Sequence, residues 1–147
     1  MTNKRLWIVL SAGLALLACS FLACGGEEEE EEGGPLMAPG EACLNCHSSG
    51  GEASEHVWTA AGTVFTDANG TTGAEGVEVQ ITDNGGNTVT LTTNSAGNFY
   101  TDQALTPPLN IQLSANGNTK SMNDAPNGNC NNCHNPAGQA GEHLVSP

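Results

Sequence analysis

The chain is nearly devoid of positive charge: three Lys and Arg stand against 16 Asp and Glu, for a formal net charge of −13 at pH 7. Two of those cations, Lys4 and Arg5, fall at the very start, which leaves Lys120 as the only other fixed positive charge. A surface of this sign repels phosphate backbones and anionic head groups. Nucleic acid is therefore excluded as a partner, and a protein with a basic surface is the class that would be attracted. Aromatic residues are just as scarce, at 4%. Together with 19 Gly and many Asn and Thr, that scarcity argues against a helical bundle and for short strands joined by tight turns. Ser-His-Asp, phosphate-loop and paired-carboxylate signatures are missing too, so enzyme activity is not expected. A core this poor in large side chains usually needs a staple, and a bound cofactor or metal is one recognised kind.

Lys4-Arg5 precedes an uncharged apolar run from Leu6 to Ala18, the pattern of a secretory signal. The run reaches Leu16-Leu17-Ala18-Cys19 and then Phe21-Leu22-Ala23-Cys24. Both resemble the lipobox of bacterial lipoproteins, in which the Cys is acylated and begins the mature chain. Leu16 before Cys19 fits that pattern better, whereas cleavage before Cys24 leaves no stray thiol, so both stay open. The competing reading is a transmembrane helix over Leu6 to Cys24, but both Cys sit where a small-residue cleavage site belongs. Either reading puts the rest of the chain outside the cytoplasm. The lipoprotein reading places it in a bacterial cell envelope, periplasmic or outer-surface. Glu27 to Glu32 is a run of carboxylates that repel one another and stay extended, which reads as a solvated tether. Such a run offers calcium no preorganised cage.

From Trp58 to Met122 apolar and polar residues alternate. Val77, Val79 and Ile81 point one way and Glu78, Gln80 and Thr82 the other, and Leu109, Ile111 and Leu113 repeat the pattern. Val89 and Leu91 do so more briefly. Asn69-Gly70, Asn84-Gly85 and Asn116-Gly117 supply residues tolerant of positive φ, as hairpin turns demand. Five to seven short strands are expected, in an antiparallel sandwich. Gly62-Thr63-Val64-Phe65, Gly76-Val77-Glu78-Val79 and Thr92-Thr93-Asn94-Ser95-Ala96-Gly97-Asn98-Phe99-Tyr100 resemble a carboxypeptidase regulatory-like domain. That likeness implies a transthyretin-like β-sandwich with a structural or adhesive role and brings no catalytic residues with it.

Every Cys outside the signal region belongs to a Cys-x-x-Cys-His motif: Cys43, Cys46 and His47, and Cys130, Cys133 and His134. A c-type haem needs two thiols for its two vinyl groups, and the adjacent His is the proximal iron ligand. Two such motifs resemble those of multihaem c-type cytochromes and imply two covalently attached haems c. The two stretches are also repeats of each other. Cys43 to His56 aligns without gaps on Cys130 to His143, matching Asn45 with Asn132, Gly51 with Gly138, Ala53 with Ala140 and Glu55 with Glu142. Upstream, Met37-Ala38-Pro39-Gly40 echoes Met122 and Ala125-Pro126-Asn127-Gly128. This self-similarity suggests duplication of one unit on either side of the β domain.

All four His are placed by the repeat, so His56 and His143 are expected as sixth ligands, with Met37 and Met122 as rivals that would raise the potential. Nine residues of extended chain span about 30 Å, enough to lead around a haem edge. Two other readings compete. Cys43, Cys46, Cys130 and Cys133 form a ligand set suited to structural zinc, although that set requires no His after each second Cys. The same thiols could instead pair as disulfides clamping an adhesive module, although Cys-x-x-Cys bridges close very short loops and stabilise little.

The expected organisation is a signal and lipobox over 1–24, a tether over 25–36, a first cassette over 37–57, a β-sandwich over 58–122 and a second cassette over 123–147. The function it implies is one-electron transfer outside the cytoplasm, with redox proteins of basic surface as partners and a lipid anchor in the membrane.

Overall fold

The computed structural model describes residues 34–147. The signal, Cys19 and Cys24, and the six-Glu run lie outside the described residues.

The described chain is mainly β and forms two sheets. β1 (Ala60–Phe65) is the hub of the first sheet, with β4 (Asn98–Thr101) antiparallel along one edge. β7 (Gly128–Asn129) and β8 (Leu144–Val145) pair with β1 in parallel. The second sheet runs β3 (Thr88–Thr92), β2 (Glu78–Thr82), β5 (Leu109–Ala115), β6 (Asn118–Ala125), all antiparallel. The expected alternation is present: Val77, Val79 and Ile81 are buried at 2%, 0% and 0% exposure, while Glu78 and Gln80 face solvent. They meet Ala60, Val64 and Phe99 of the first sheet and Leu109, Ile111 and Leu113 of the second in one core. Each fully buried Val or Ile contributes about 1.5–3 kcal/mol.

Asn116-Gly117 joins β5 to β6 with both residues at positive φ, 51° and 80°, which a two-residue primed turn requires. In the loop Asp83–Asn87 the positive φ falls on Gly86, at 85°, one place beyond the expected Asn84-Gly85. The Asp83 carboxylate dictates that shape, accepting from the Asn87 amide at 2.8 Å and side chain at 3.0 Å and from the Thr106 amide at 3.1 Å.

The first sheet departs from a purely antiparallel design because the second cassette is threaded along its edge. On β1, the Val64 amide points towards Gly97 at the β4 side, so the Thr63 amide points to the opposite edge. There β7 pairs with Ala60 and Ala61, and β8 pairs with Val64 and Phe65. Between them, where the ladder has no backbone partner, Asn131 Oδ1 accepts from the Thr63 amide at 3.1 Å. One side chain thus stands in for a strand. All six residues of β1 are buried because the face turned away from the core is covered by residues before β1: the Gly40 amide donates to Thr63 Oγ1 at 2.9 Å, and Phe65 packs on Gly40.

Candidate functional site

Each Cys-x-x-Cys stretch winds into a single helical turn, a 3-10 turn over Cys43–Asn45 and an α-turn, α1, over Cys130–Cys133. Helical winding brings positions one turn apart onto one side. The two thiols and the following His of each motif therefore share a face. The sequence repeat is also a repeat of hydrogen bonds. His47 N donates to Cys43 O at 2.9 Å and His134 N to Cys130 O at 2.9 Å. Ala53 N donates to Cys46 O at 3.1 Å and Ala140 N to Cys133 O at 3.0 Å. Gly51 and Gly138 sit so close beneath those carbonyls that a Cβ would lie 2.1 Å from Cys46 O and 2.3 Å from Cys133 O. Only Gly allows the turn to close.

Each cassette opens onto its own cavity. One, of about 260 Å³, is lined by Cys43, Cys46 and His47 together with Met37, Glu41, Glu52, Trp58 and Tyr100. The other, of about 570 Å³, is lined by Cys130, Cys133 and His134 together with Met122, His143, Leu113 and Lys120. Phe99 borders both. Asn131 ties the cassettes to each other, since its Nδ2 donates to Glu41 O at 3.1 Å while its Oδ1 holds β1. Asn129 Nδ2 adds a contact to Asn45 Oδ1 at 3.3 Å.

The symmetry ends at the imidazoles. His47 is 6% exposed, with its ring stacked on Trp58 at 3.5 Å and 14° between planes. Its Nδ1 donates to the backbone carbonyl of His56 at 2.9 Å. In the neutral ring that leaves Nε2 as an acceptor, and it faces the Met37 sulfur at 3.3 Å. The His56 side chain is exposed, so what it gives the site is a carbonyl. In the second cassette His134 is half-buried, and burial lowers its basicity below that of a free His, with Glu142 partly opposing. His143 sets its ring edge against Gly70 and Phe65, and its Nδ1 is buried with no hydrogen-bond partner. Met122 is 37% exposed on β6 and borders the same cavity.

All four described thiols are unpaired. Burial pushes the Cys130 thiol up to about 12, with the Cys43 thiol adding to the effect, and burial also raises Cys43. Cys46 is exposed. Among the described residues no three His, Cys, Asp or Glu side chains come together as a group that could hold a metal ion.

Sequence reasoning did not single out Trp58, Tyr100 or Asn131. Rarity was the available signal for the first two, since the chain has two Trp and one Tyr. Nothing marked Asn131, whose counterpart in the first cassette is Leu44. Comparison of the chain with protein-family profiles, with curated proteins and with solved structures finds no match.

Proposed function

We propose that this chain is an exported, lipid-anchored, di-haem c-type cytochrome-like protein that carries single electrons outside the cytoplasm. In this reading the two sheets form a transthyretin-like sandwich of the carboxypeptidase regulatory-like kind, holding one haem cassette on an outer face and the other along an edge. The observation that carries the reading is that each cavity collects both thiols and the adjacent His of one cassette.

The residues suit a covalently held haem. Two thiols one helical turn apart match two thioether bonds, and His47 and His134 follow as proximal ligands. His47 meets a further requirement: a ligating imidazole donates its second N–H to a carbonyl or carboxylate, which fixes the tautomer, and the His56 carbonyl accepts it. In the neutral ring His47 Nε2 and Met37 Sδ face each other as two electron-pair donors 3.3 Å apart, an arrangement that suits a shared Lewis acid. His143, whose Nδ1 is buried without a hydrogen-bond partner, borders the second cavity together with His134.

In this reading Met37 would join His47 in holding the first group, and His143 would join His134 in holding the second. A haem bound in this way supplies a one-electron iron couple. The chain fixes its position, sets its ligands and leaves one side open to solvent, as the exposure of Cys46 and Tyr100 indicates. The role proposed is transfer rather than catalysis. The test is colour. Protein exported from a host with haem-attachment machinery should be red and stay red after denaturation and desalting. Colourless protein, or colour lost on desalting, would refute the proposal.

A further inference from the structure

In a chain so short of aromatic residues, three rings stand in series: His47 stacks on Trp58 at 3.5 Å and 14°, and Trp58 stacks on Tyr100 at 4.3 Å and 12°. The first is buried and the last is 37% exposed, so the stack runs from the first cassette to the surface. The surroundings carry one sign of charge. Glu41 and Glu52, both exposed, line the same cavity mouth as Tyr100, and exposed Asp102 follows two residues along the chain. Val57, 44% exposed, immediately precedes Trp58. Among the described residues Lys120 is the only Lys or Arg, and it borders the other cavity.

We infer that the Tyr100 face is where a redox partner docks, and that the His47–Trp58–Tyr100 stack couples the first centre to it. The partner is a one-electron acceptor or donor protein that presents a basic rim around an apolar patch. Exposed apolar and aromatic groups ringed by charge are the usual form of such a contact: the centre gives affinity, and the rim steers approach and sets orientation. One electron passes from the reduced centre to an oxidised partner, with no bond made or broken and no proton moved. The inference rests on the proposed function and adds the place and the route.

The test uses the haem-loaded protein and, as probe, a small basic c-type cytochrome in its oxidised form, mixed by stopped flow at low salt. Tyr100→Ala removes the aromatic anchor and should slow second-order transfer about tenfold, equivalent to about 1.4 kcal/mol. Tyr100→Phe, which keeps the ring, should restore it. Glu52→Gln should slow transfer and flatten its salt dependence, whereas Glu78→Gln, on the other sheet, should change neither. Both reduction potentials should stay where they are in every variant. Equal rates for Tyr100→Ala and the native protein would overturn the inference, as would a Tyr100→Ala rate loss that merely tracks a shifted potential. Intact mass on the same samples separates the two claims: haem present with unchanged rates sinks the docking face alone, and haem absent sinks both.

Discussion

The Nδ1 of His47 and the carbonyl oxygen of His56, nine residues apart in sequence, are 2.9 Å from each other. That single bond gives His56 a backbone role and turns Nε2 towards Met37. Replacing Met37 with Ala should therefore remove the sulfur signature from the optical and magnetic spectra of one centre and lower the potential of that centre alone, since Met/His ligation raises potential. His56→Ala, which keeps the carbonyl, should leave the spectrum unchanged. A spectrum altered by His56→Ala but not by Met37→Ala would reverse the assignment.

Gly51 and Gly138 make matched predictions. A methyl group at either would lie far inside van der Waals contact of the Cys46 or Cys133 carbonyl, so Gly51→Ala and Gly138→Ala should each open one cassette turn. Pigment per chain should drop by half in each single variant and vanish in the double. Full pigment in either single variant would show that the turn does not govern attachment.

Asn131 is 1% exposed and satisfies the Thr63 amide, Thr63 Oγ1 and Glu41 O. Asn131→Leu copies the residue at the matching place in the first cassette but leaves the Thr63 amide without a partner. Each buried group stranded in this way costs about 1–3 kcal/mol. Denaturant titration should show a lower midpoint, and hydrogen exchange at the Thr63 amide should accelerate. An unchanged midpoint would mean that the side chain is not what joins the second cassette to β1.

Asp83 ties stability to pH. The Asn87 side chain is the main cause of its carboxyl lying below the usual carboxylate range, with the Thr106 and Asn87 amides adding to it. A folded pKa below the unfolded value of about 3.9 gives stability that is fully present above that value and lost as pH falls through the folded one. Melting curves of the native protein and Asp83→Ala should therefore differ by a constant amount near neutrality and converge in acid. A gap that persists at low pH would contradict the assignment.

Much of this was legible because it repeats or alternates. The gapless match of the two stretches suggested one duplicated unit, with which their shared backbone bonds accord, and the period of two in Val77–Ile81 and Leu109–Leu113 foretold which faces are buried. Asn116-Gly117 located its turn because its geometry requires positive φ twice. What stayed hidden depends on tertiary partners. β7 and β8 are two residues each, too short to show a period, and they exist only because the edge of β1 is there to pair with. β6 is exposed along nearly its whole length, so its strand state comes from its turn and from β5 rather than from any pattern. The contact between the His56 carbonyl and His47 Nδ1 could not be read from the sequence, because a backbone carbonyl leaves no mark in the choice of side chain.

The most direct measurement is the intact mass of the mature chain made with haem-attachment machinery present, beside its Cys43→Ala/Cys46→Ala and Cys130→Ala/Cys133→Ala variants. The account predicts a native mass exceeding that of the lipidated polypeptide by two haems, and one haem fewer in each double variant. A native mass equal to that of the lipidated polypeptide alone would contradict it.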